Sequence, residues 1–469
     1  MDEIKLSDIV FEQIKDFVHW DLTKGEESLI DKLILNEELK ERYMFNGLCK
    51  ICKQPNTSDA WCQSIHSHLK QNFKSWTSGN NEVDKFIQEA QLKAKNLYQI
   101  LEWIEYDKFE DIEYLAKGGF GTTYKAIWKD VPFWEKNYGK WKKEGETKVA
   151  LKCLHNSQDI SAEFFNELGS NIIASESGLG WVVRCFGITK DPKTNNFMMV
   201  MDLQKCSLRQ HLNDNFNSLS WHDKLYILRG ISAGLSDIHK SGLIHRDFHC
   251  GNLLSHIEYD DIVCITDLGL CQPANVKSSQ GDNKKTYGVL PYMAPEVLRG
   301  KEYTQASDVY GFGIIAHEIC TGLPPYHDIP HDEFLAIKIC NGLRPKSNYK
   351  IPQLILDIIN QCWDTDPLKR PKANDLYELF HNLYYNRNKV VSDIYKQFKE
   401  ADEINEKSSS TVRSPSLSTS TLSYTTHPQA VYTSRLLDFK NLPEPKNAVE
   451  YSESIRMDFT KLDINSKGN

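Results

Sequence analysis

The chain has 469 residues, a length that suggests roughly two to four domains. Hydrophobic residues make up 40% and charged residues 26% of the sequence, which are ordinary values for a globular protein with a substantial core. The net charge of -8 argues against nucleic-acid binding by the chain as a whole.

Targeting signals and cysteine usage indicate the compartment. No apolar run reaches the length of a membrane helix, and the N-terminal sequence lacks the charged-then-apolar pattern of a signal peptide. The twelve cysteines are scattered, and several lie within apolar stretches, which suits a reducing compartment better than a disulfide framework. We therefore expect a soluble, cytoplasmic protein with no membrane partner.

The first 108 residues are predicted to be mainly helical. Apolar residues recur at helical spacing over residues 1–45, which predicts two short helices separated near Thr23-Lys24-Gly25. A further helix is predicted over residues 82–105 from the same kind of spacing.

Between these helices lies a candidate zinc knuckle at residues 49–68. Cys49 and Cys52 have the C-x-x-C spacing of half a structural zinc site, and Cys62 follows. The position three after Cys62 is an isoleucine, so His66 (or His68) is the candidate fourth ligand. The alternative is a knuckle without metal, or three thiols in a loop.

From Phe109 the pattern changes to strands. Ile112-Glu113-Tyr114-Leu115 alternates like a strand and runs into a glycine-rich turn, after which a second strand follows. Such a turn lets backbone N–H groups close over phosphates without Cβ clashes, although as an isolated signal it fits a plain hairpin equally well. A polar insert at about 130–146 lengthens the connection to the next strand.

A lysine within that next strand requires a partner. Lys152 ends the apolar run Val149-Ala150-Leu151, where an unpaired charge is costly. The helix that begins near Ser161 carries Glu163 and Glu167 on one face, and either could reach Lys152. We choose Glu167 because it lies further into the helix.

The main candidate for chemistry is the loop His245–Asn252, which follows a helix opened by a capping box at Ser220. Its sequence has the pattern H-R-D-x-x-x-x-N, in which the Asp can accept a proton from an attacking hydroxyl and the Asn can hold a metal ion. Asp267 follows an apolar strand and precedes a glycine, and its carboxylate suits Mg²⁺.

These motifs occur in a recognisable order, completed by Ala294-Pro295-Glu296. The chain therefore resembles a eukaryotic protein kinase over residues 109–385. The segment around Trp363 and the H-R-D-F-H-x-G-N loop resemble the tyrosine-kinase-like branch, and the chain is similar to a large set of predicted fungal kinases with a Cys-containing N-terminal module. The resemblance implies an α+β, two-lobed fold, with a β-rich N-lobe at 109–203 and an α-helical C-lobe at 204–385.

The resemblance also implies ATP and Mg²⁺ as cofactors, a protein Ser/Thr hydroxyl as acceptor, and a role for each motif residue. Asp247 would orient and deprotonate the acceptor, Asn252 and Asp267 would hold Mg²⁺, and Lys152 would hold the ATP phosphates. Asp247, Lys152 and Asn252 form the catalytic set. The nucleotide-binding set is Ala116, Lys117, Gly118, Gly119, Phe120, Gly121, Thr123, Ala150, Lys152, Glu167, Met201, Asp202, Leu203, Leu254 and Asp267.

Several residues depart from the family pattern. Ala116 occupies the first glycine position, Thr123 replaces a Val, and Leu268 replaces the Phe of D-F-G. His249 stands where Ser/Thr kinases usually carry a Lys, and Val289 where a Thr is common. The alternatives to an active Ser/Thr kinase are a pseudokinase scaffold, a dual-specificity or Tyr kinase, and an adaptor whose main function lies in the Cys module.

Control by phosphorylation is expected between Asp267 and Ala294. Arg246 beside Asp247 suggests an activation segment that is ordered by an anion. The candidate phosphosites are Ser278, Ser279, Thr286 and Tyr287, and an upstream activating kinase is the expected partner. The resemblance further implies a buried ion pair between Arg370 and Glu296.

The C-terminal residues 386–469 are predicted to be mostly disordered. A short helix could extend to Asn405, and Ser408–Ser423 is rich in Ser and Thr. The segment Tyr432–Phe439 is a candidate docking or phosphorylation segment, for which random polarity is the favoured interpretation.

Overall fold

The computed structural model describes most of the chain in two compact units. The first unit comprises Met1–Gly180 and Arg184–Leu203, and the second comprises Trp181–Val183 and Gln204–Asn469. The described residues are 5–49, 52–57, 61–62, 69–118, 121–129, 131–135, 140–143, 145–154, 157–158, 160–256, 262–274, 286–386, 393–412 and 424–447.

Three helices open the first unit, where the sequence predicted two. They are α1 (Asp8–Ile14), α2 (Lys24–Leu33) and α3 (Glu37–Asn46). The additional break occurs because Asn36 caps a new helix, its side chain accepting a hydrogen bond from the Leu39 N–H at 2.9 Å. The three helices share a buried core that includes Ile14, Ile30 and Tyr43.

The helix predicted over 82–105 is wrong in its second half. The helix α4 spans Asn81–Lys93, and a short 3₁₀ turn at Leu97–Gln99 follows. Asn96 explains the break, because its side chain caps the 3₁₀ turn and also donates to the Ser175 and Glu176 carbonyls at 3.0 and 2.9 Å. These distant partners, absent from any local window of sequence, override the helical pattern.

The first unit also contains a six-stranded sheet. Its strand order is β1-β7-β8-β6-β3-β2, and its neighbours are antiparallel except for the parallel pair β1–β7. Alternate residues of β6, among them Val149 and Leu151, are fully buried against Trp128 and Val200. The strands are β1 (Glu102–Trp103), β2 (Phe109–Lys117), β3 (Gly121–Lys129), β6 (Glu146–Leu154), β7 (Cys185–Lys190) and β8 (Phe197–Asp202).

Glycine makes the parallel pairing of β1 feasible. A Cβ at Gly187 would lie 2.0 Å from the Glu102 carbonyl oxygen, so any larger residue would force β1 away. The short strand β1 is therefore joined to the sheet through a position that only glycine fits.

Two other predicted regions of the first unit are a polar insert and a helix. The polar insert predicted as a lengthened turn contains a hairpin of β4 (Pro132–Glu135) and β5 (Lys140–Lys143). Helix α5 spans Ala162–Ala174 and begins, as predicted, at Ser161, whose hydroxyl accepts a hydrogen bond from the Phe164 N–H at 3.3 Å.

Helices dominate the second unit, which agrees with the predicted α+β class. The predicted capping box at Ser220 is confirmed, since Ser220 and Asp223 each bond the other's backbone N–H. The longer helices are α6 (Leu208–Asn215), α7 (Trp221–Lys240), α9 (Gln305–Thr321), α10 (Glu333–Cys340), α11 (Gln353–Cys362), α12 (Ala373–Asn386) and α13 (Asp393–Val412), with the short α8 at Pro295–Leu298.

Short strands connect these helices and flank the loops that contain the predicted site residues Asp247, Asn252 and Asp267. They are β9 (Cys206–Ser207), β10 (Leu243–Ile244), β11 (Leu253–Ser255), β12 (Val263–Ile265), β13 (Gln272–Pro273), β14 (Thr286–Gly288) and β15 (Arg435–Leu437). The implied ion pair is present: Arg370 donates to both oxygens of Glu296 at 2.7 and 2.8 Å, and both residues are buried.

The C-terminal residues differ from the predicted disorder in two stretches. Residues 393–412 form α13, which extends beyond the predicted end at Asn405 and contacts α11. Residues 424–447 lie along the second unit, and their strand β15 pairs antiparallel with β14. Among the described helices, none combines the length and apolar character that a membrane crossing requires.

Candidate active site

The first group of predicted site residues lies on the sheet of the first unit. Lys152 Nζ is 2.5 Å from Glu167 Oε1, and the two side chains are 15% and 5% exposed. The ion pair predicted from sequence is therefore formed, and Glu163, the alternative partner, is exposed on the first turn of α5.

The glycine-rich turn lies between β2 and β3. Gly118 N–H donates to the Gly121 carbonyl at 2.9 Å, which closes the turn. A Cβ at Gly121 would lie 2.2 Å from the Cys153 carbonyl oxygen, so glycine is required there by close approach. Gly119 and Phe120 lie outside the described residues.

Other residues predicted to bind the nucleotide lie on neighbouring strands of the same sheet. Thr123 is directly opposite Lys152, and Ala150 is opposite Met201. Ala116 and Lys117 end β2, while Asp202 ends β8 and is followed by Leu203.

The second group lies in the second unit and begins with the loop after β10. Asp308 near the start of α9 holds this loop, because its carboxylate accepts hydrogen bonds from the backbone N–H groups of His245 and Arg246 at 2.8 and 3.0 Å. Arg246 has a positive φ of 70°, a conformation that non-glycine residues rarely adopt, and its guanidinium lies 4.7 Å from the centre of the Tyr303 ring. The loop before Asp247 is thus held in a strained shape by a buried carboxylate.

Asp247 is buried and lies next to Asn252. The Asn252 side-chain N–H₂ donates to the Asp247 backbone carbonyl at 2.9 Å and to its Oδ2 at 3.3 Å. Within the described part of the chain, Oδ1 of Asp247 has no hydrogen-bond partner. A buried carboxylate oxygen in this state is free to accept a proton or a hydrogen bond from a substrate group.

Charged and polar neighbours keep Asp247 ionised. Burial acts to raise the pKa of Asp247, but its interactions with His249 and with the Ser434 hydroxyl outweigh burial, so the pKa lies below its ordinary value. An ionised carboxylate is the form that a general base requires.

His249 has a defined hydrogen-bonding state. Its Nδ1 accepts from the Gly251 N–H at 3.0 Å, so in the neutral ring the proton is on Nε2. Nε2 lies 3.5 Å from Asp247 Oδ2 and 3.4 Å from the Ser434 hydroxyl. The ring therefore presents its N–H to the reactive side of Asp247.

The segment that carries Asp267 is tied to the same loop. The Thr266 N–H donates to the Asn252 carbonyl at 3.0 Å, and His245 Nε2 is 3.2 Å from the Thr266 carbonyl. Burial lowers the pKa of His245, which keeps its ring neutral and lets Nε2–H donate. Asp267 itself has left-handed backbone angles (φ 62°, ψ 65°), and Leu268 after it is buried, as expected for the residue that replaces Phe.

Donor chemistry at this loop suits a magnesium ion. Asn252 uses its amide N–H₂ for Asp247, which leaves the amide oxygen as its ligand atom. That oxygen and the carboxylate of Asp267 are the hard ligands that Mg²⁺ prefers. Leu254, the remaining predicted nucleotide contact, lies two residues beyond Asn252 in β11.

Ser434 is a site residue that sequence reasoning missed. Its hydroxyl donates a hydrogen bond to Asp247 Oδ2, from the segment Tyr432–Phe439, for which the sequence favours random polarity over a docking or phosphorylation role. A Thr-Ser-Arg sequence is too common to indicate such a contact, and only the pairing of β15 with β14 brings it to the loop.

The three cysteines of the candidate knuckle are also brought together. The sulfur atoms of Cys49, Cys52 and Cys62 all lie within 4.8 Å of one another, and Cys49 and Cys62 are 3.2 Å apart. Hydrogen bonds with the other two thiols, together with burial, raise the pKa of Cys52. The predicted fourth ligand, His66, lies outside the described residues.

Comparison with known proteins defines the class. The family described as "Protein tyrosine and serine/threonine kinase" matches residues 109–380, which is more than half of the chain. The chain belongs to this family, and the predicted fold of a β-rich N-lobe and a helical C-lobe is that of its kinase domain.

Individual relatives are similar over 288 to 301 residues. The chain is 32% identical over 299 residues to "Probable serine/threonine-protein kinase roco5" of Dictyostelium discoideum, covering 58% of this chain and 10% of that protein. It is 27% identical over 301 residues to "Putative serine/threonine-protein kinase/receptor R831" of Acanthamoeba polyphaga mimivirus, covering 62% and 17%. It is 29% identical over 288 residues to "Dual specificity protein kinase shkE" of Dictyostelium discoideum, covering 60% and 37%. The chain thus spans well under half the length of these relatives.

Proposed function

We propose that the chain is a protein kinase that transfers the γ-phosphate of ATP to Ser or Thr hydroxyls of protein substrates in intracellular signalling. One observation carries the proposal: Asp247 is a buried, ionised carboxylate with an unpaired oxygen, held beside Asn252. Family membership and the Lys152–Glu167 ion pair support it. The scattered cysteines favour the cytoplasm as the compartment.

Each residue has one task in this proposal. Asp247 orients the acceptor hydroxyl and takes its proton, while His249 keeps the Asp247 carboxylate in place. Lys152, positioned by Glu167, holds the ATP phosphates, and backbone N–H groups of the glycine-rich turn cover them. Asn252 and Asp267 hold Mg²⁺, which when bound neutralises charge on the phosphates. Catalysis of this kind consists of positioning and charge neutralisation.

The test compares the wild-type chain with Asp247→Asn, using labelled ATP, Mg²⁺ and casein as a generic acceptor. We expect labelled casein from the wild type and a loss of at least roughly 100-fold in the variant, because removing a general base costs about 10²–10⁴-fold. Equal labelling by both proteins would show that transfer comes from a contaminant, and that result would favour a pseudokinase scaffold.

The class of acceptor hydroxyl is a separate part of the proposal. We favour Ser/Thr transfer and the tyrosine-kinase-like branch, on the sequence of the catalytic loop and the names of the relatives. Dual specificity is the second candidate, supported by the printed name of the shkE relative. Phosphoamino-acid analysis of the labelled casein separates these alternatives, because dual specificity requires phosphotyrosine as well.

An upstream kinase is proposed to act on the activation segment. Ser278 and Ser279 lie outside the described residues, while Thr286 lies in β14. Replacing all three by Ala and comparing activity after phosphatase treatment tests the idea. If the triple Ala variant has the same activity as the wild type both before and after phosphatase treatment, phosphorylation of these three residues does not control activity.

The Cys cluster supports a second, structural proposal, that Cys49, Cys52 and Cys62 bind Zn²⁺ with His66. Three sulfur atoms within 4.8 Å are close enough to share one ion. Elemental analysis of the purified chain should give about one zinc per chain, lost in Cys49→Ser and retained in the matched control Cys206→Ser. Absence of zinc from a wild-type chain purified without chelator would overturn the proposal.

A further inference from the structure

Residues 424–447 lie along the second unit as an extended segment, which we call the C-terminal strap. Backbone and side-chain contacts hold it on both sides of β15. The His427 N–H donates to the His327 carbonyl at 2.7 Å, and the Lys446 N–H donates to the Cys340 carbonyl at 2.8 Å. Arg299 forms a bidentate ion pair with Glu444. The path of the strap is therefore defined at both ends.

The centre of the strap adds a strand to the segment that precedes the Ala-Pro-Glu motif. Thr286 is opposite Leu437, and Gly288 is opposite Arg435. An extended peptide that adds a strand to an exposed edge is a common mode of peptide recognition, because the main chain supplies affinity and the register places each side chain. The register here places Ser434 immediately past the paired residues, at the catalytic loop.

Contacts on either side fix that register. Arg435 donates to the His331 carbonyl at 2.5 Å, and the Tyr432 hydroxyl donates to the Pro325 carbonyl at 3.0 Å. The Val431 N–H donates to Nδ1 of His331 at 3.0 Å, and Leu437 is buried. Thr433, the other hydroxyl residue at this point, is exposed.

Ser434 occupies the position of an acceptor. Its hydroxyl donates to Oδ2 of Asp247 and lies 3.4 Å from Nε2 of His249. A hydroxyl hydrogen-bonded to the general base is the arrangement that precedes proton abstraction. A strap that served only to block the site would need no hydroxyl at this one position.

We infer that Ser434 is a phosphorylation site of the chain's own kinase activity, modified in cis from the docked strap. The inference rests on the proposed function. Ser434 Oγ forms a bond to the γ-phosphorus of ATP while the bond from that phosphorus to the β–γ bridging oxygen breaks. The hydroxyl proton passes to the Asp247 carboxylate, and ADP leaves with the bridging oxygen.

The product is less compatible with the site than the substrate. A phosphoserine carries a charge of about -1.5 to -2 at pH 7, and it would lie beside the Asp247 carboxylate, to which the Ser434 hydroxyl is hydrogen-bonded. Like-charge repulsion then weakens the docking of the strap. Modification of Ser434 consequently frees the position of the acceptor for other substrates.

The test uses the full chain, treated with phosphatase and then freed of it, with ATP, Mg²⁺ and casein. Mass spectrometry of the peptide that contains Ser434 should show one phosphate. The rate constant should stay unchanged over a roughly 100-fold dilution, because a tethered acceptor reacts intramolecularly. Ser434→Ala should remove that phosphate while casein is still labelled, Ser434→Thr should restore it, and the matched control Thr433→Ala should leave it unchanged.

Three results would overturn the inference. Casein labelling without phosphate on Ser434 would show that Ser434 is not a phosphorylation site, while leaving the proposed function intact. A rate constant for Ser434 that rises in proportion to protein concentration shows transfer between molecules. Failure to label either casein or Ser434 removes the proposed function, and the inference with it.

Discussion

The Lys152–Glu167 ion pair shows how one buried charge constrains its surroundings. A Lys inside an apolar strand is unfavourable unless a carboxylate faces it, and Glu167 does so with only 5% of its side chain exposed. The same helix carries an exposed carboxylate at Glu163, one turn earlier. These two glutamates therefore provide an internal comparison between a buried position paired with a lysine and an exposed position at the helix N-terminus, where Glu163 is hydrogen-bonded to Ser161.

Replacing Glu167 by Gln should lower kcat/KM for ATP by roughly 10- to 100-fold, because a loose Lys152 misplaces the phosphates. Steady-state kinetics with casein as acceptor measures the effect. Glu163→Gln, the matched control, should change kcat/KM less than about twofold, since surface substitutions of this kind have small effects. Equal losses in both variants would contradict the assignment of Glu167.

Histidine burial predicts a pH dependence of stability. Burial lowers the pKa of His317 from 6.5 to about 4, so the folded chain keeps this ring neutral where the unfolded chain protonates it. As pH falls from 6.5 toward 4, the unfolded state binds the extra proton and the free energy of unfolding decreases. The decrease from this residue should reach about 2–3 kcal/mol between pH 7 and pH 4.5.

The measurement is urea unfolding of the wild type and of His317→Gln at both pH values. Between pH 7 and pH 4.5, the free energy of unfolding should fall by about 2–3 kcal/mol less in the variant than in the wild type. This comparison does not depend on how much the substitution itself changes stability at pH 7. A difference between the two pH values that is identical in both proteins would show that His317 does not contribute.

At the scale of elements, glycine positions determine which strands can approach each other. Gly187 lets β1 pair in parallel with β7, since a Cβ there would lie 2.0 Å from the Glu102 carbonyl. Gly169, inside α5, has open space around its Cβ position. One glycine is thus required by packing, and the other only lowers helix stability.

Replacing each of these glycines by Ala should change stability in opposite directions. Gly187→Ala should destabilise the chain by about 1–3 kcal/mol, because β1 must shift or the strand must strain. Gly169→Ala should stabilise it by about 0.5–1 kcal/mol through helix propensity. Chemical unfolding reports both, and a destabilising Gly169→Ala would show that this helix needs a glycine for another reason.

At the scale of the whole molecule, local signals and the contacts that family motifs imply were predictable, whereas pairings between distant segments outside those motifs were not. The capping box of Ser220 and Asp223 was predictable from adjacent residues, and the Arg370–Glu296 pair followed from the family resemblance. The break after Lys93 was not predictable, because Asn96 finds its partners near residue 175. The position of the strap was not predictable for the same reason, since its strand partner lies about 150 residues earlier in the chain. The sequence offers Tyr432–Phe439 as a docking or phosphorylation candidate without indicating where it binds.

The strap gives the last prediction. It supplies Ser434 to Asp247 and adds a strand to β14, so while docked it competes with any other peptide for the same acceptor position. Ending the chain after residue 423 should therefore raise kcat/KM for casein by roughly tenfold, mainly through a lower KM, because competition by a tethered segment is removed.

Ending the chain after residue 447 provides the matched control, because the whole strap remains and only the residues beyond it are lost. Its kcat/KM for casein should equal that of the full chain when both are measured after phosphatase treatment. Phosphorylation of Ser434 beforehand should raise the kcat/KM of the full chain toward that of the chain ending after residue 423. The reason is that the added phosphate lies beside the Asp247 carboxylate and is repelled by it. Activity that is the same in all three lengths would mean that the strap leaves the acceptor position too often to compete, and that Asp247 meets outside substrates unhindered.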